Sequence, residues 1–244
     1  MPKSRIHILS TKKLLSSIIE QARNKDIDII EKEFISINPI LTKEKLEQVM
    51  PVISDKKIPY VVFTSANAVD AVKNYLHHGD TWYVPNWNVF CLSGKTKDSL
   101  HPHISPKNII GIAENSSKLA QKIIEYEIKG IIFFCGNKRR NELPDILKKA
   151  GVKVHEIVVY ETIETPDITT ENLDGILFFS PSAVKSFFSV NQLNKKIICF
   201  AIGKTTADAI KEYTDNKIII SESPTQEMML ATINFYYQNF NCYK

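Results

Sequence analysis

Phe63-Thr64-Ser65-Ala66-Asn67-Ala68-Val69 decides the fold, because it returns as Phe178-Phe179-Ser180-Pro181-Ser182-Ala183-Val184. Each copy closes a short β-rich apolar run and opens a stretch with helical spacing, so each reads as a strand-to-helix junction. A second pair keeps step with the first. Gly94-Lys95-Thr96 and Gly203-Lys204-Thr205 also follow apolar runs, and each glycine lies 22 residues ahead of a polar junction, Ser116 or Thr225. The flanks repeat more loosely: 6–39 and 131–166 both read as strand, helix, strand and a polar extended segment ending in Pro. Motifs that return at fixed intervals indicate a duplicated unit.

Working outward, strand-like runs fall at 6–9, 27–30, 60–63, 89–92, 109–112, 131–134, 154–160, 176–179, 197–202 and 218–220. Helical periodicity fills most of the gaps, at 12–22, 68–76, 117–126, 143–149, 183–188, 206–213 and 226–235. Alternation of this kind predicts an α/β fold with parallel sheets covered on both faces. The segments 31–39 and 158–166 are too long and polar for internal turns, yet they carry extended-favouring Phe34, Ile35, Val159 and Tyr160. They are expected to be crossings between domains. The predicted architecture is two similar domains, each a five-stranded parallel sheet flanked by helices, joined by a two-stranded linker. One domain is discontinuous, 1–35 plus 166–244; the other is continuous, 40–160; the linkers are 34–39 and 160–166.

Composition narrows the function classes. The chain has 244 residues, 43% hydrophobic and 24% charged, with a formal net charge of +4. A mild, dispersed excess lacks the footprint of a nucleic-acid-binding domain, so no nucleic acid is expected as partner. Apolar runs such as Gly130 to Cys135 are far short of the roughly 18 residues of a membrane helix, and the first residues lack a secretory pattern. No membrane association is expected, and the location is expected to be cytoplasmic. Cysteines 91, 135, 199 and 242 are scattered through apolar surroundings, which predicts reduced thiols without disulfides or zinc. Gly-Lys-Thr occurs twice, but Val89 and Ile198 stand where a phosphate loop needs its first Gly. No Gly-x-Gly-x-x-Gly occurs among only 8 glycines, so neither ATP nor a dinucleotide is expected.

What remains is a row of small polar junctions at the carboxyl ends of strands, from Ser10-Thr11 to Ser223-Pro224-Thr225. Helix N-termini offer unpaired N–H groups and partial positive charge, and Ser and Thr add donors, so two such edges suit an anionic ligand. Helix capping is the plainer reading for any single Ser or Thr. Together with Cys135-Gly136-Asn137 through Arg140 and Leu143-Pro144, Val159-Tyr160-Glu161-Thr162, Ala201-Ile202-Gly203 with Thr205-Thr206-Ala207, and Ser221-Glu222-Ser223-Pro224-Thr225, these junctions make the chain resemble the uroporphyrinogen-III synthases. The resemblance spans nearly the whole chain in order, apart from 72–90 with Trp82 and Trp87.

The resemblance implies two α/β domains and cyclisation of hydroxymethylbilane, a linear tetrapyrrole with eight carboxylates, with inversion of its last ring and loss of water. It implies no cofactor and no metal, and a monomer that takes its small-molecule substrate from the preceding pathway enzyme. The bilane closes unaided to the wrong isomer, so the enzyme's task is conformational. Tyr160 matches the position of a proposed proton donor, with Phe34 as its counterpart in the other linker. Thr64, Ser65, Asn137, Ser180, Ser182, Thr205 and Thr206 match cleft positions and are assigned to substrate carboxylates. Lys138, Arg139 and Arg140 could attract the polyanion or form a solvated surface run. The histidines are expected to be structural or superficial, and Phe235, Tyr236, Tyr237 and Phe240 to pack a helix. A non-catalytic two-domain sensor of an anionic small molecule is the alternative, and a two-domain glycosyltransferase a further rival for which the chain is short.

Overall fold

The computed structural model describes residues 5–42, 44–45, 59–78, 81–82, 86–101 and 103–240. They form two compact units. Unit 1 comprises Met1–Ser36 with Ile163–Lys244, and unit 2 comprises Ile37–Thr162.

Unit 1 is built on five parallel strands, β1 (Ile6–Ser10), β2 (Ile27–Glu31), β11 (Gly175–Phe178), β12 (Ile198–Ala201) and β13 (Ile218–Ile220), in the order β13-β12-β11-β1-β2. Its helices are α1 (Ser16–Arg23), α6 (Pro181–Phe188), α7 (Lys204–Lys211) and α8 (Gln226–Phe240). Unit 2 carries β4 (Tyr60–Phe63), β7 (Asn88–Leu92), β8 (Ile109–Ala113), β9 (Gly130–Gly136) and β10 (Lys153–Glu164), all parallel, in the order β10-β9-β4-β7-β8. β3 (Ile35–Pro39) lies beside β10 in the same sheet. The helices here are α2 (Ala66–Leu76), α3 (Lys95–Leu100), α4 (Ser116–Glu125) and α5 (Glu142–Lys149). A two-residue ladder, β5 (His77–His78) with β6 (Thr81–Trp82), follows α2.

Numbered along the chain, unit 1 has the spatial order 2-1-3-4-5 and unit 2 the order 5-4-1-2-3. The second is a circular permutation of the first, which is what a duplicated unit gives when the chain leaves one copy after two strands and returns later. In each unit the order reverses beside one strand pair, β1/β11 or β9/β4, and open α/β sheets bind ligands outside the carboxyl ends of strands at that switch point.

Strand alternation builds two core layers per sheet. Val61, Phe63, Val89, Cys91, Ile132 and Phe134 face one side of unit 2, while Val62, Phe90, Ile131, Phe133 and Cys135 face the other. Unit 1 repeats the scheme, with Leu9, Ile176, Phe178 and Cys199 opposite Ile8, Leu177 and Phe200. Both faces being covered explains why these strands read as continuous apolar runs. Each buried Phe contributes about 1.5–3 kcal/mol by leaving water.

The expected two-stranded linker is present: segment 31–39 yields β3, which lies beside β10, and β10 runs on through the second linker as far as Glu164. Other expectations change. Lys95–Leu100 is helical although only a junction was expected there, because Thr96 and Leu100 face inward four residues apart. On α8, Met229, Leu230, Ile233 and Tyr237 are buried, but Phe235 is 65% exposed, so it does not pack the helix as expected; the Phe240 side chain lies outside the described residues. Trp87 is buried against Phe134, whereas the Trp82 side chain also lies outside them. Cys91, Cys135 and Cys199 are free and buried, and Cys242 is likewise not described. No helix among the described residues is long and apolar enough to cross a membrane.

Candidate functional site

At the switch point of unit 2 the strand ends enclose a pocket of about 340 Å³ whose walls include Thr64, Ser65, Cys135, Gly136, Arg139 and Tyr160. Thr64 and Ser65 stand just past β4, before α2. Gly136 ends β9, and Tyr160 lies late in β10. The register of β10 on β9 slips here: Val158 pairs with Cys135, but Tyr160 pairs with Gly136, so β10 carries one extra residue. A bulge re-aims the side chains beyond it. Val159 enters the core, fully buried, and half-buried Tyr160 comes to rest over Gly136.

That seat depends on a missing side chain. A Cβ on Gly136 would lie 2.4 Å from Tyr160 Cζ and 2.7 Å from its hydroxyl oxygen. The Tyr160 hydroxyl donates to Ser65 Oγ at 3.1 Å, and Ser65 Oγ also accepts the Asn67 N–H at 3.2 Å. Asn137 fastens the same segment, its N–H donating to the Tyr160 carbonyl at 3.2 Å and its Oδ1 accepting the Thr162 N–H at 2.9 Å.

The cationic wall is fixed as well. Arg139 Nε donates to Glu156 on β10 at 2.6 Å, its Nη2 reaches the same carboxylate, and its Nη1 reaches Asn141. Its side chain is only 23% exposed, so the solvated-run reading fails for Arg139: a carboxylate two residues before the β10 bulge draws it inward. Lys138 and Arg140 line the pocket beside it and are exposed. Cys135 is no nucleophile here. Burial pushes its thiol up to about 11, against a smaller opposing pull from Arg139.

The remaining assigned residues belong to unit 1. Ser180 caps α6, its Oγ accepting the Ala183 N–H at 3.1 Å, and Ser182 follows in the first turn, half-buried. Thr205 is exposed, but Thr206 is only 3% exposed and turns inward on α7, so its hydroxyl is not at a surface. The two Gly-Lys-Thr copies therefore differ. In unit 2 the first Thr, Thr96, is the buried one, and Gly94 there adopts φ 69° where Gly203 is extended at φ 179°.

Unit 1 has a pocket of about 370 Å³, but it lies at the amino ends of β11 and β12, by Asp174 and Ile198, away from every assigned residue. Tyr237 there donates its proton to the Asp174 carbonyl at 2.8 Å, and burial raises its phenol well above the ordinary range. No group of His, Cys, Asp and Glu among the described residues could hold a metal ion. Gly136 and Glu156 were not singled out from sequence. The available signal was a glycine in an apolar strand of a glycine-poor chain, which marks close backbone approach.

Comparison with known proteins gives one consistent result. The profile of the HEM4 family, uroporphyrinogen-III synthase HemD, matches residues 16–231. The crystal structure of uroporphyrinogen-III synthetase from Helicobacter pylori superposes with a TM-score of 0.66 at 17% identity, covering 93% of this chain and 98% of that one. A mutant uroporphyrinogen III synthase from Thermus thermophilus gives 0.63 at 14% identity, covering 96% and 99%.

Proposed function

The chain belongs to the uroporphyrinogen-III synthase family, and from that premise we propose that Tyr160 protonates the departing hydroxyl of hydroxymethylbilane. The enzyme is a lyase of heme biosynthesis that closes this linear tetrapyrrole to uroporphyrinogen III, with inversion of ring D and loss of water. The sensor alternative finds no support.

One observation carries the assignment of Tyr160: its phenol stands on the pocket wall at the switch point of unit 2, held by Gly136 and Ser65. As the pyrrole nitrogen of the terminal ring pushes electrons outward, the hydroxyl leaves with a proton, for which a phenol is acid enough. The final proton loss from the new macrocycle restores the phenol. Most of the rate advantage then comes from holding the last ring turned, so that closure passes through the spiro intermediate before the unassisted closure competes.

Substrate carboxylates are held by exposed or half-buried donors, Thr64, Ser182, Thr205 and the Asn137 amide, together with Lys138 and Arg140. Ser180 contributes through its backbone, since its side chain is a cap, whereas buried Thr206 donates its N–H to the Gly203 carbonyl at 3.1 Å and holds no substrate carboxylate. Charge-assisted bonds of this kind are about twice as strong as neutral ones. The substrate is a small molecule. The enzyme works as a cytoplasmic monomer and takes the labile bilane from the enzyme that makes it.

The test is Tyr160→Phe with freshly made hydroxymethylbilane. Loss of a general acid lowers kcat by roughly 100-fold or more with stability nearly unchanged, and the type I isomer rises among the products as unassisted closure overtakes catalysis. A normal rate in this variant removes Tyr160 from the mechanism.

A further inference from the structure

We infer that Ser65 is a positioning residue for the proton-donating phenol, not an anchor for a substrate carboxylate. The inference rests on the reading of Tyr160 given above.

A serine hydroxyl has one proton and two lone pairs. One lone pair of Ser65 is taken by the Asn67 N–H at 3.2 Å, within the turn that leads into α2. The other faces the Tyr160 hydroxyl at 3.1 Å. Before reaction, the phenol proton rests on that lone pair. When Tyr160 passes its proton to the departing hydroxyl, the C–O bond of the substrate breaks, water leaves, and a phenolate remains. A phenolate only accepts. The Ser65 hydroxyl then rotates its own proton onto the phenolate oxygen, and the Asn67 N–H strengthens this donation by polarising the serine oxygen. Proton loss from the closing macrocycle returns the phenol and turns Ser65 back into an acceptor. No other donor or acceptor is needed for the balance.

Geometry fixes the partner. The ring lies against the Cα of Gly136 and cannot settle deeper, and Asn137 holds the β10 backbone at Tyr160 and Thr162. With the ring and its strand both held, the phenol oxygen meets the Ser65 hydroxyl at 3.1 Å. Both lone pairs of Ser65 are taken by protein donors, which fixes its oxygen beside the phenol and leaves its own proton as the one that turns to the phenolate.

A kinetic cycle over Ser65→Ala, Tyr160→Phe and the double variant decides the matter, with thermal unfolding of each variant measured alongside. Loss of a hydrogen bond to developing charge lowers kcat by about 10- to 100-fold, with KM within about twofold. Ser65→Thr, which keeps the hydroxyl, recovers most of the loss. In the Tyr160→Phe background, Ser65→Ala costs nothing more. A raised KM at unchanged kcat would mark Ser65 as a carboxylate anchor, and a fully additive loss in the double variant would mark an independent role. Either result overturns the inference while leaving Tyr160 as the acid. A normal kcat for Tyr160→Phe is a separate result, which removes the acid and the relay together.

Discussion

Ser65 and Ser180 occupy the same place in the two copies of the repeat, yet their surroundings have opposite character. Ser180 caps a helix, accepting the Ala183 N–H three residues on. Ser65 also caps its helix, accepting the Asn67 N–H two residues on, but in addition meets a phenol beside a pocket. The strand next door makes the difference. Ladder pairing places Leu177 beside Ser10 and Val62 beside Phe133, so Ser10 is level with Phe133, and by the next ladder Glu31 is level with Glu156. Three residues further along, Phe34 is therefore level with Val159, not with Tyr160 as its position in the linker suggested. Both are fully buried in the corresponding core layers. Val159 is the residue the bulge leaves without a ladder partner; Tyr160, set opposite Gly136 just beyond it, is level with Ile35, which has no hydroxyl.

Unit 1 also closes its edge early. β1 stops at Ser10, and Thr11 directs both its N–H and its hydroxyl to the Leu177 carbonyl, at 3.0 and 2.8 Å. β9 continues to Gly136, and β10 runs for 12 residues against 5 in β2. The level carboxylates serve both edges: Glu31 accepts the Leu14 N–H, and Glu156 holds Arg139. A duplicated fold thus gains a pocket wall in one copy by letting two strands overrun the edge that the other copy seals.

The comparison breaks most visibly at Phe34. It packs edge-on against Phe187 at 5.2 Å in a sealed layer, so Phe34→Ala should cost about 3–5 kcal/mol in denaturant unfolding. An effect below about 1 kcal/mol would mean that the layer is not closed. Gly136→Ala acts at the other edge. The added Cβ meets the Tyr160 ring, which should lower stability by about 1–3 kcal/mol and displace the phenol, taking kcat down toward the Tyr160→Phe value. Gly203→Ala is the control for stability, because its Cβ would meet nothing within 4 Å.

Alkaline pH probes both cores. Burial raises the thiols of Cys91 and Cys135 to about 11 and that of Cys199 to about 12 from an ordinary 9.0. A raised folded value means that the unfolded chain ionises first, so stability is intact below pH 9 and falls as pH climbs from there toward 11 and 12. The slope is about 1.4 kcal/mol per pH unit for each thiol ionised only when unfolded. Cys199→Ala should lessen the slope for unit 1, and chemical denaturation at pH 8 and 10 reads it directly. The smallest effects belong to the caps: Ser180→Ala and Ser65→Ala, each of which loses a side-chain bond to the first turn of its helix, should each cost about 1 kcal/mol in the same unfolding measurement.

Much of this architecture was legible in the residues. Apolar runs of the right length, with junctions at repeated intervals, specify parallel strands and intervening helices, because burial on both faces leaves an unmistakable composition. The short helix at Lys95–Leu100 escaped because only Thr96 and Leu100 mark its inner face. Of the site, Thr64, Ser65 and Tyr160 were found from sequence and are brought together, while Gly136 and Glu156 were not. Thr206 was given a place at a surface that it does not have, since it lies on the inner face of its helix with Ala207 and Ile210.

The amino-acid sequence by itself determined the duplication and the α/β class, which follow from local periodicity, while Tyr160 was singled out through the resemblance of its motif to the uroporphyrinogen-III synthases. Tertiary structure alone decided that the phenol meets Ser65, 95 residues away, and that it stands outside the core. Those facts depend on ladder register, and a one-residue bulge in β10 sets the register without leaving a mark in composition.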